Sequence, residues 1–406
     1  MREIYLDNSA TTRCFDNVAE VMSKCLTEDY GNPSSAHHMG LVAENKIKEA
    51  REVFAKILRV KESEIYFTSG GTESDNLAIL GAARANKRNG MHVITTKIEH
   101  PAVLNPMAEL EKEGYEVTYW PVDESGIACA DEAIQAVSED TVLISIMHTN
   151  NEIGSLQPVA QVGQVLKRKF PKVIFHVDAV QGFGKLPIYP KEMGIDMLSI
   201  SSHKIHGPKG VGVLYISEKT RIAPLIFGGG QQKDIRPGTE NVPGIVGMAE
   251  AAKTLFADLE HDREVLYRLK ESFVKQLSEL EDVRINGLPG FSSASDIKDK
   301  SKKDEIIEKA VRATAPHVIS ASFKGVRSEV LLHALEEKGI YVSAGSACST
   351  HKKTESATLS AIGLKSEYRD STIRFSTSVY TSKEDIEDTV AALKELLPEL
   401  RKYSAH

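Results

Sequence analysis

Two side chains in the sequence have the chemistry to bond covalently with a small molecule, the amine of Lys204 and the thiol of Cys348. Lys204 follows an apolar run that ends near Ser201. A lysine at the carboxyl end of a parallel strand points into the crevice where α/β sheets bind ligands, and there it can form a Schiff base with an aldehyde cofactor. Since a lysine is far more often a surface charge, this position indicates a site only together with others.

Cys348 stands in a run of small residues without apolar periodicity, which predicts a mobile loop rather than a buried strand. The basic residues 351–353 nearby favour a thiolate. A buried structural thiol is the usual alternative. We interpret the other three cysteines as such structural thiols, because they have no comparable setting. They are Cys14, Cys25 and Cys129.

Polar residues end three further apolar runs. Asp178 ends VIFHVD, and a carboxylate there needs a cationic partner such as a protonated pyridine nitrogen, although a capping aspartate explains the segment equally well. Gly71 and Thr72 follow a strand and open a helix, an arrangement that binds anions but is often only a turn. His100, after HVITT, can stack on a flat cofactor and exchange protons, whereas an isolated histidine is more often structural.

These residues need a sheet that brings strand ends together. Short apolar runs alternate with amphipathic stretches such as 42–58 and 159–169, which indicates an α/β domain with a mostly parallel sheet. We expect residues 212–216 to form an antiparallel strand at the edge of this sheet, because they follow directly on another strand. The seven predicted strands are 64–68, 92–95, 116–120, 142–148, 173–177, 197–201 and 212–216.

The pattern changes after residue 247. A long helical stretch over 248–280 leads into a smaller α+β region that ends in a helix from about Lys383, with Thr381 and Ser382 as capping candidates. We predict a large domain over residues 13–255. A small domain would comprise 1–12 and 256–406 and would carry the cysteine loop at about 343–358. The charged segment 292–314 is predicted to be a mobile, solvated surface insertion with a short helix, or else a partner-docking insertion.

The composition excludes some classes of partner. The 406 residues carry 50 basic and 57 acidic side chains, a formal charge of −7, which gives no reason to expect nucleic acid or a membrane as partner. The N-terminus has no apolar run of signal-peptide length, and no run approaches the ~18 apolar residues of a membrane-spanning helix. The cysteines are far apart, without a CxxC pair, so we expect a reduced, cytoplasmic protein with no disulfide framework and no metal.

Taken together, the motifs resemble those of the cysteine desulfurases, in the class V aminotransferase-like group of fold type I pyridoxal-phosphate enzymes. The matching strings follow the family order across residues 4–376, and only 292–314 looks extra. They are YLDNSATT, GNPSSAHHMG, FTSGGTESDN, EHPAV, MHTNNEIG, HVDAVQ, SSHKIHGPKG, RPGTEN, SAGSAC and IRFS. The resemblance implies a fold type I transferase with a seven-stranded, mostly parallel sheet in its large domain and a smaller α+β domain.

The resemblance also implies a role for each matching residue. Lys204 would hold pyridoxal 5'-phosphate as a Schiff base and move the substrate's Cα proton, and Cys348 would be the nucleophile that takes up sulfur as a persulfide. Asp178 would pair with the pyridine nitrogen and His100 would stack on the ring. The remaining cofactor residues would be Asn151 and Gln181 near the ring hydroxyl, Gly71, Thr72, Ser201 and His203 at the phosphate, and Thr239 at the phosphate of a neighbouring subunit. The substrate carboxylate would be held by Asn32 and Arg374.

The implied reaction converts L-cysteine to L-alanine and delivers sulfur to an acceptor protein, either an iron–sulfur scaffold or an enzyme that thiolates tRNA or another cofactor. A homodimer is also implied. Three alternatives remain open at this point: a selenocysteine lyase, an aminotransferase or other fold type I enzyme, and a non-catalytic scaffold. Cys348 favours desulfuration, because transamination requires no thiol nucleophile.

Overall fold

The computed structural model describes residues 2–291, 299–344 and 356–404. Its strands are short runs of mostly buried residues, many of them β-branched or otherwise apolar, which favour strands. In chain order they are β1 (Ile4–Tyr5), β2 (Ile65–Thr68), β3 (His92–Thr96), β4 (Glu116–Trp120), β5 (Thr141–Met147), β6 (Ile174–Asp178), β7 (Met197–Ser201), β8 (Gly212–Ile216), β9 (Val283–Asn286), β10 (Val318–Phe323), β11 (Ile340–Tyr341), β12 (Ser343–Ala344) and β13 (Thr372–Ser376).

The helices fill most of the chain between these strands. In chain order they are α1 (Asp16–Thr27), α2 (His38–Leu58), α3 (Gly71–Ala85), α4 (Pro101–Lys112), α5 (Ala130–Gln135), α6 (Val159–Lys169), α7 (Pro190–Met193), α8 (Val242–Ala257), α9 (Leu259–Leu277), α10 (Lys300–Arg312), α11 (Ser328–Glu337), α12 (Ala357–Ala361), α13 (Ser366–Arg369) and α14 (Lys383–Ser404). In the described parts of the chain, none of these helices is both long and apolar enough to cross a membrane.

The main sheet has seven strands in the order β2-β8-β7-β6-β5-β3-β4. Neighbours from β7 to β4 are parallel, and β8 runs antiparallel to both β7 and β2. All seven predicted strands and the antiparallel direction of β8 are therefore confirmed. The predicted edge position of β8 is wrong, because β2 pairs along its free side and occupies the edge instead.

Helices cover both faces of this sheet. Alternate strand residues face opposite sides, so Ile144 of β5 belongs to the same buried cluster as Phe54 of α2, while the adjacent Leu143 belongs to another cluster with Met107 of α4. Buried apolar side chains on two faces are what a parallel sheet requires. The carboxyl ends of β3, β5, β6 and β7 consequently meet at one edge, with helices on either side.

A second hydrophobic core forms around the C-terminal part of the chain. The strands β12, β13, β10 and β9 form an antiparallel sheet in that order, and the N-terminal β1 pairs in parallel with β11. Phe273 of α9, Leu335 of α11 and Leu393 of α14 are buried in this core together with Ile4 and Leu6 from the N-terminus. The predicted division into residues 13–255 and 1–12 plus 256–406 stays a prediction, with which the two cores agree.

Of two expectations about helices, one changes and the other is confirmed for one of its two residues. The stretch expected to be one helix over 248–280 is two helices, since Asp258 has a non-helical backbone between α8 and α9. At α14 the predicted cap is confirmed for Ser382, whose hydroxyl accepts from the Asp385 amide while the Asp385 carboxylate accepts from the Ser382 amide.

The segment 292–314 is more firmly attached than expected. Its residues from 299 onward are described, and α10 buries Ile307 and Val311 in the second core against α9. Burying an aliphatic side chain of this size contributes ~1.5–3 kcal/mol, so this part is anchored and not a free surface insertion. Residues 292–298 lie outside the described residues, and a partner-docking role stays a prediction.

Candidate active site

A cavity of about 300 Å³ opens at the carboxyl edge of the main sheet. It gathers ten of the residues that the sequence singled out, from four strand ends, one helix start and the second sheet. The lining residues are Ser9, Ala10, Gly71, Thr72, Asp75, His100, Ala102, Met147, Thr149, Asn151, Asp178, Val180, Gln181, Ser201, His203, Lys204 and Arg374.

Lys204 reaches the cavity from a short 3-10 turn, Ser202–Lys204, that directly follows β7. Its Nζ donates to the backbone carbonyl oxygens of Ser9 and, at 2.7 Å, of Ala10. Lys185 lies behind it and donates to the carbonyl oxygen of Lys204. Burial, helped by the charge of Lys204, lowers the pKa of Lys185 to about 7. The primary amine of Lys204 therefore faces the cavity, where carbonyl oxygens of the N-terminal segment hold it.

Asp178 ends β6 and is 6% exposed. Its Oδ1 accepts from the Val180 amide at 2.9 Å. Burial raises the pKa of Asp178, while this amide and the charges of His100 and Lys204 act to lower it. The carboxylate is thus buried but surrounded by groups that favour its ionised form.

Asp75 is a second acid on the cavity wall, and sequence reasoning missed it. It lies on α3 and is 1% exposed, and its Oδ1 has no hydrogen-bond partner within the described residues. The nearest basic atom is Nε2 of His176, 3.6 Å away, and burial lowers the pKa of His176 to about 3. Burial first, and then the charge of Asp178, raise the pKa of Asp75 well above its ordinary value. Burial and the neighbouring acid therefore both favour the neutral form of Asp75.

The start of α3 forms an anion cradle. Gly70 has φ 151°, which favours glycine, and a Cβ on Gly71 would approach Val180 Cγ2 to 2.8 Å. The backbone amides at the N-terminus of α3, with Thr72 and Ser201 beside them, can bind a phosphate. His203, on the same wall, has its Nδ1 3.3 Å from the hydroxyl of Thr11, and burial lowers its pKa to about 4.

His100 caps α4 after the end of β3. Its Nδ1 accepts from the Ala102 amide at 3.1 Å, so the neutral ring carries its proton on Nε2. Burial lowers the pKa of His100, although Asp178 acts to raise it. The neutral imidazole keeps a flat apolar face and one N–H donor for a ligand.

Gln181 and Asn151 complete the side of the cavity next to the N-terminal segment. Gln181 Nε2 donates to the Ser9 carbonyl at 3.0 Å, and its Oε1 lies 3.3 Å from Nε2 of the buried His317. Asn151 follows β5, and its carbonyl accepts from Arg374 Nη1 at 3.0 Å.

Arg374 enters the cavity from β13 of the second sheet. Its Nη2 lies 2.8 Å from Asp7 Oδ1, and its buried Nε has no hydrogen-bond partner among the described residues. An arginine held on one side with an unsatisfied N–H on the other is ready to bind an anionic ligand. This position agrees with the expected contact to a substrate carboxylate, which stays a prediction.

Three predicted site residues are not gathered here. Asn32 is exposed and outside the cavity lining, and its Oδ1 accepts from the Ser34 amide in a local turn. Thr239 is exposed on the surface of this chain, outside the cavity lining. Cys348 lies outside the described residues.

The lining fits an anionic, heterocyclic aldehyde cofactor. The α3 cradle matches a phosphate, Asp178 matches a protonated ring nitrogen, and Lys204 matches the aldehyde. The sequence missed Asp75, although its spacing of four residues from Gly71 places both on one side of a helix. It also missed Ser9 and Ala10, because backbone carbonyls leave no mark in a sequence.

Comparison with known proteins agrees with this site. The Aminotransferase class-V family model matches residues 4–389. The chain is 43% identical to "Cysteine desulfurase IscS" of Dictyoglomus turgidum, over 100% of this chain and 97% of the relative, and 40% identical to the protein of the same name from Methanosarcina thermophila, over 99% and 94%. A solved NifS-like protein superposes with a TM-score of 0.87 at 37% identity, over 98% of this chain and 100% of that structure.

Full-length similarity at this level, with a family model that spans nearly the whole chain, settles the family. The chain belongs to the class-V aminotransferase family, among the fold type I, pyridoxal-phosphate-dependent cysteine desulfurases.

Proposed function

We propose that the protein converts L-cysteine to L-alanine and receives the sulfur as a persulfide on Cys348. In the balanced reaction, the Cβ–S bond of the substrate breaks, an S–S bond forms on the Cys348 thiol, and the substrate carbon takes up a proton. The observation that carries the proposal is the shared cavity of Lys204 and Asp178, beside which both ends of the cysteine-bearing segment are attached.

The attachment limits where Cys348 can go. Ser343 of β12 pairs with Arg374 of β13, and β12 ends at Ala344. Cys348 comes four residues later, which an extended chain spans in at most ~14 Å. At the other end of the segment, Ser356 donates a hydrogen bond to Glu152, next to Asn151. These anchors support an attack by the thiol on the sulfur of a substrate bound beside Arg374 and Asn151.

Pyridoxal phosphate, when bound, supplies an electron sink that weakens bonds at the substrate's Cα and Cβ. Lys204 would hold the aldehyde, and its amine would move the Cα proton. Asp178 keeps the ring nitrogen protonated, while Gly71, Thr72, Ser201 and His203 hold the phosphate. These roles follow the family motifs position by position.

The remaining residues orient the ring and the substrate. His100 stacks on the ring with its Nε2–H free for a proton transfer. Asn151 and Gln181 would face the ring hydroxyl, and Arg374, which lines the cavity, would bind the substrate carboxylate. We assign Asn32 to the carboxylate only in an assembly that brings it closer, since it lies outside the lining in this chain.

We propose a homodimer. Large apolar side chains are exposed on the surface near Thr239, among them Phe227 at 84% and Ile226 at 51%. A second copy covering them would remove apolar area from water and could bring Thr239 to the neighbouring phosphate. We further propose a cytoplasmic acceptor protein, either an iron–sulfur scaffold or an enzyme that thiolates tRNA or another cofactor, with no direct contact to nucleic acid or membrane.

The test is mass spectrometry of the protein loaded with pyridoxal phosphate, before and after adding L-cysteine. We expect a 32 Da sulfur adduct on the peptide with Cys348 and equimolar alanine. Cys129, an exposed free thiol, is the internal control and should stay unmodified. Cys348→Ser should bind cofactor normally yet lose turnover, and Lys204→Ala should lose the protein-bound cofactor absorbance. Full alanine production by Cys348→Ser would refute the assignment.

A further inference from the structure

Glu152 follows Asn151 on the turn after β5, and it lies outside the cavity lining. This turn is rigidly built, because Asn150 Oδ1 accepts from the backbone amides of Glu152 at 2.8 Å and Ile153 at 3.0 Å. The Glu152 carboxylate points away from the turn and accepts a hydrogen bond from the hydroxyl of Ser356. An acid one residue from the cavity therefore contacts the first described residue after the segment that contains Cys348.

Ser356 uses the same hydroxyl to begin α12. Its Oγ accepts from the Leu359 amide at 3.0 Å, which makes Ser356 the N-cap of that helix. Thr358, in the first turn, is buried, and its Oγ1 accepts from Asn150 Nδ2 at 3.2 Å. Two polar contacts thus join the start of α12 to the turn after β5.

A small apolar cluster supports these contacts. Ile153 is buried with Leu359 of α12 and with Ile362 and Leu364, which follow that helix, separately from the larger cores. The turn and α12 therefore behave as one packed unit, which sits beside the cavity through Asn151.

The other end of the cysteine-bearing segment is attached to the same place. Ser343 of β12 is paired with Arg374, whose Nη1 donates to the Asn151 carbonyl at 3.0 Å. The segment 345–355 is therefore bounded on one side by a strand partner of Arg374 and on the other by Glu152. The second attachment is made by the Glu152 carboxylate, which accepts from Ser356 and also bonds to Thr358.

We propose that Glu152 is a positioning residue for sulfur transfer, fixing the C-terminal end of the cysteine-bearing segment to the cavity turn through Ser356. Glu152 acts through Ser356 and touches neither substrate nor cofactor. The inference rests on the proposed role of Cys348. Its consequence is selective: the step that needs the thiol depends on Glu152, whereas cofactor binding and substrate binding do not.

The first measurement is amide hydrogen exchange of the cofactor-loaded protein without substrate, followed on the peptide that covers α12. Losing the Glu152–Ser356 hydrogen bond should speed local exchange about fivefold in Glu152→Ala, and at least as much in Ser356→Ala, which also loses the N-cap of α12. Glu152→Gln keeps an acceptor oxygen for Ser356 and should exchange like the wild type. Ser63→Ala is the matched control, because Ser63 donates to Glu218 at 2.9 Å on a surface far from α12 in sequence.

The second measurement separates substrate binding from sulfur transfer in the same variants. After mixing with L-cysteine, the change in cofactor absorbance should keep its rate and its concentration dependence. The single-turnover rate of persulfide formation on Cys348 should fall about fivefold or more in Glu152→Ala and Ser356→Ala. Glu152→Gln should restore it to within about twofold. Since both alanine variants remove the Glu152–Ser356 bond, the double variant should be slowed by much less than the product of the two single effects.

Three results would overturn the proposal: unchanged exchange on α12 in Glu152→Ala, equal slowing of substrate binding and persulfide formation, or a Glu152→Gln variant as slow as Glu152→Ala. A failure of the proposed function looks different. In that case the wild-type protein itself forms no persulfide on Cys348, whatever the exchange of α12.

Discussion

The guanidinium of Arg374 lies 2.8 Å from the carboxylate of Asp7, and this ion pair joins the second sheet to the N-terminal segment at the cavity. Two residues further on, the carbonyls of Ser9 and Ala10 accept from the amine of Lys204. The same short segment therefore orients both the proposed carboxylate-binding group and Lys204, the proposed Schiff-base lysine. Any ligand that bridges these two groups is held by one rigid backbone stretch.

Arg374→Lys should weaken substrate binding more than catalysis. Lysine keeps the charge but cannot hold Asp7, the Asn151 carbonyl and a carboxylate at once. Loss of a charge-assisted hydrogen bond of about 1.5–3 kcal/mol predicts a ~10- to 100-fold higher KM for L-cysteine. Steady-state alanine formation measures this, with Arg268→Lys on the exposed face of α9 as the control. A KM within twofold of the wild type would remove Arg374 from the substrate site.

Glu99, next to His100, should make stability depend on pH. Its Oε1 accepts from the Thr96 hydroxyl and, at 3.0 Å, from the Met147 amide, and burial raises its pKa from 4.5 to about 8. The folded protein therefore binds more protons than the unfolded chain between these values. Stability contributed by neutral Glu99 is full at low pH and is lost as the pH rises towards and past 8.

Glu99→Gln should abolish this loss, since the amide oxygen can accept the same two hydrogen bonds. We expect the difference in unfolding free energy between variant and wild type to grow by roughly 3–5 kcal/mol in favour of the variant from pH 5 to pH 8. Urea unfolding of the cofactor-loaded proteins at both pH values measures it. Glu109→Gln, at an exposed site paired with Lys112, should leave the difference flat. A flat difference for Glu99→Gln would mean that Glu99 is ionised in the folded protein.

Local sequence features predicted most of the fold. Strands such as β6 and β7 are uniformly buried runs bounded by polar or glycine residues, so their position follows from composition alone. The position of β8 within the sheet could not be predicted in this way. Its neighbour β2 lies about 150 residues earlier, and pairing between distant segments leaves no local pattern. The same limit applies to Glu152, whose partner Ser356 is 204 residues away.

The sequence predicted the site residues that lie at the ends of strands. His100, Asp178 and Lys204 each follow an apolar run, and parallel strands bring such residues to one edge. The sequence did not indicate Asp75 as a site residue, because a carboxylate inside a polar helical motif is typical of a solvated residue. Its burial depends on α3 packing against β6 and β7, which only the three-dimensional fold reveals.

Asp178→Asn and Asp75→Asn should therefore behave differently, although both change one buried carboxyl of the same cavity into an amide. In the proposed site Asp178 is the partner of the ring nitrogen, whose positive charge favours the ionised carboxylate, and losing that charged hydrogen bond should weaken pyridoxal-phosphate binding ~10- to 100-fold. For Asp75, burial and the charge of Asp178 raise the pKa well above its ordinary value, which favours the neutral form, so the amide should leave that affinity within about threefold. Titration of the cofactor-free proteins with pyridoxal phosphate, followed by absorbance, gives both affinities. An equal loss in the two variants would show that Asp75 shares the negative charge, and the ring nitrogen would then face two half-ionised acids instead of one carboxylate.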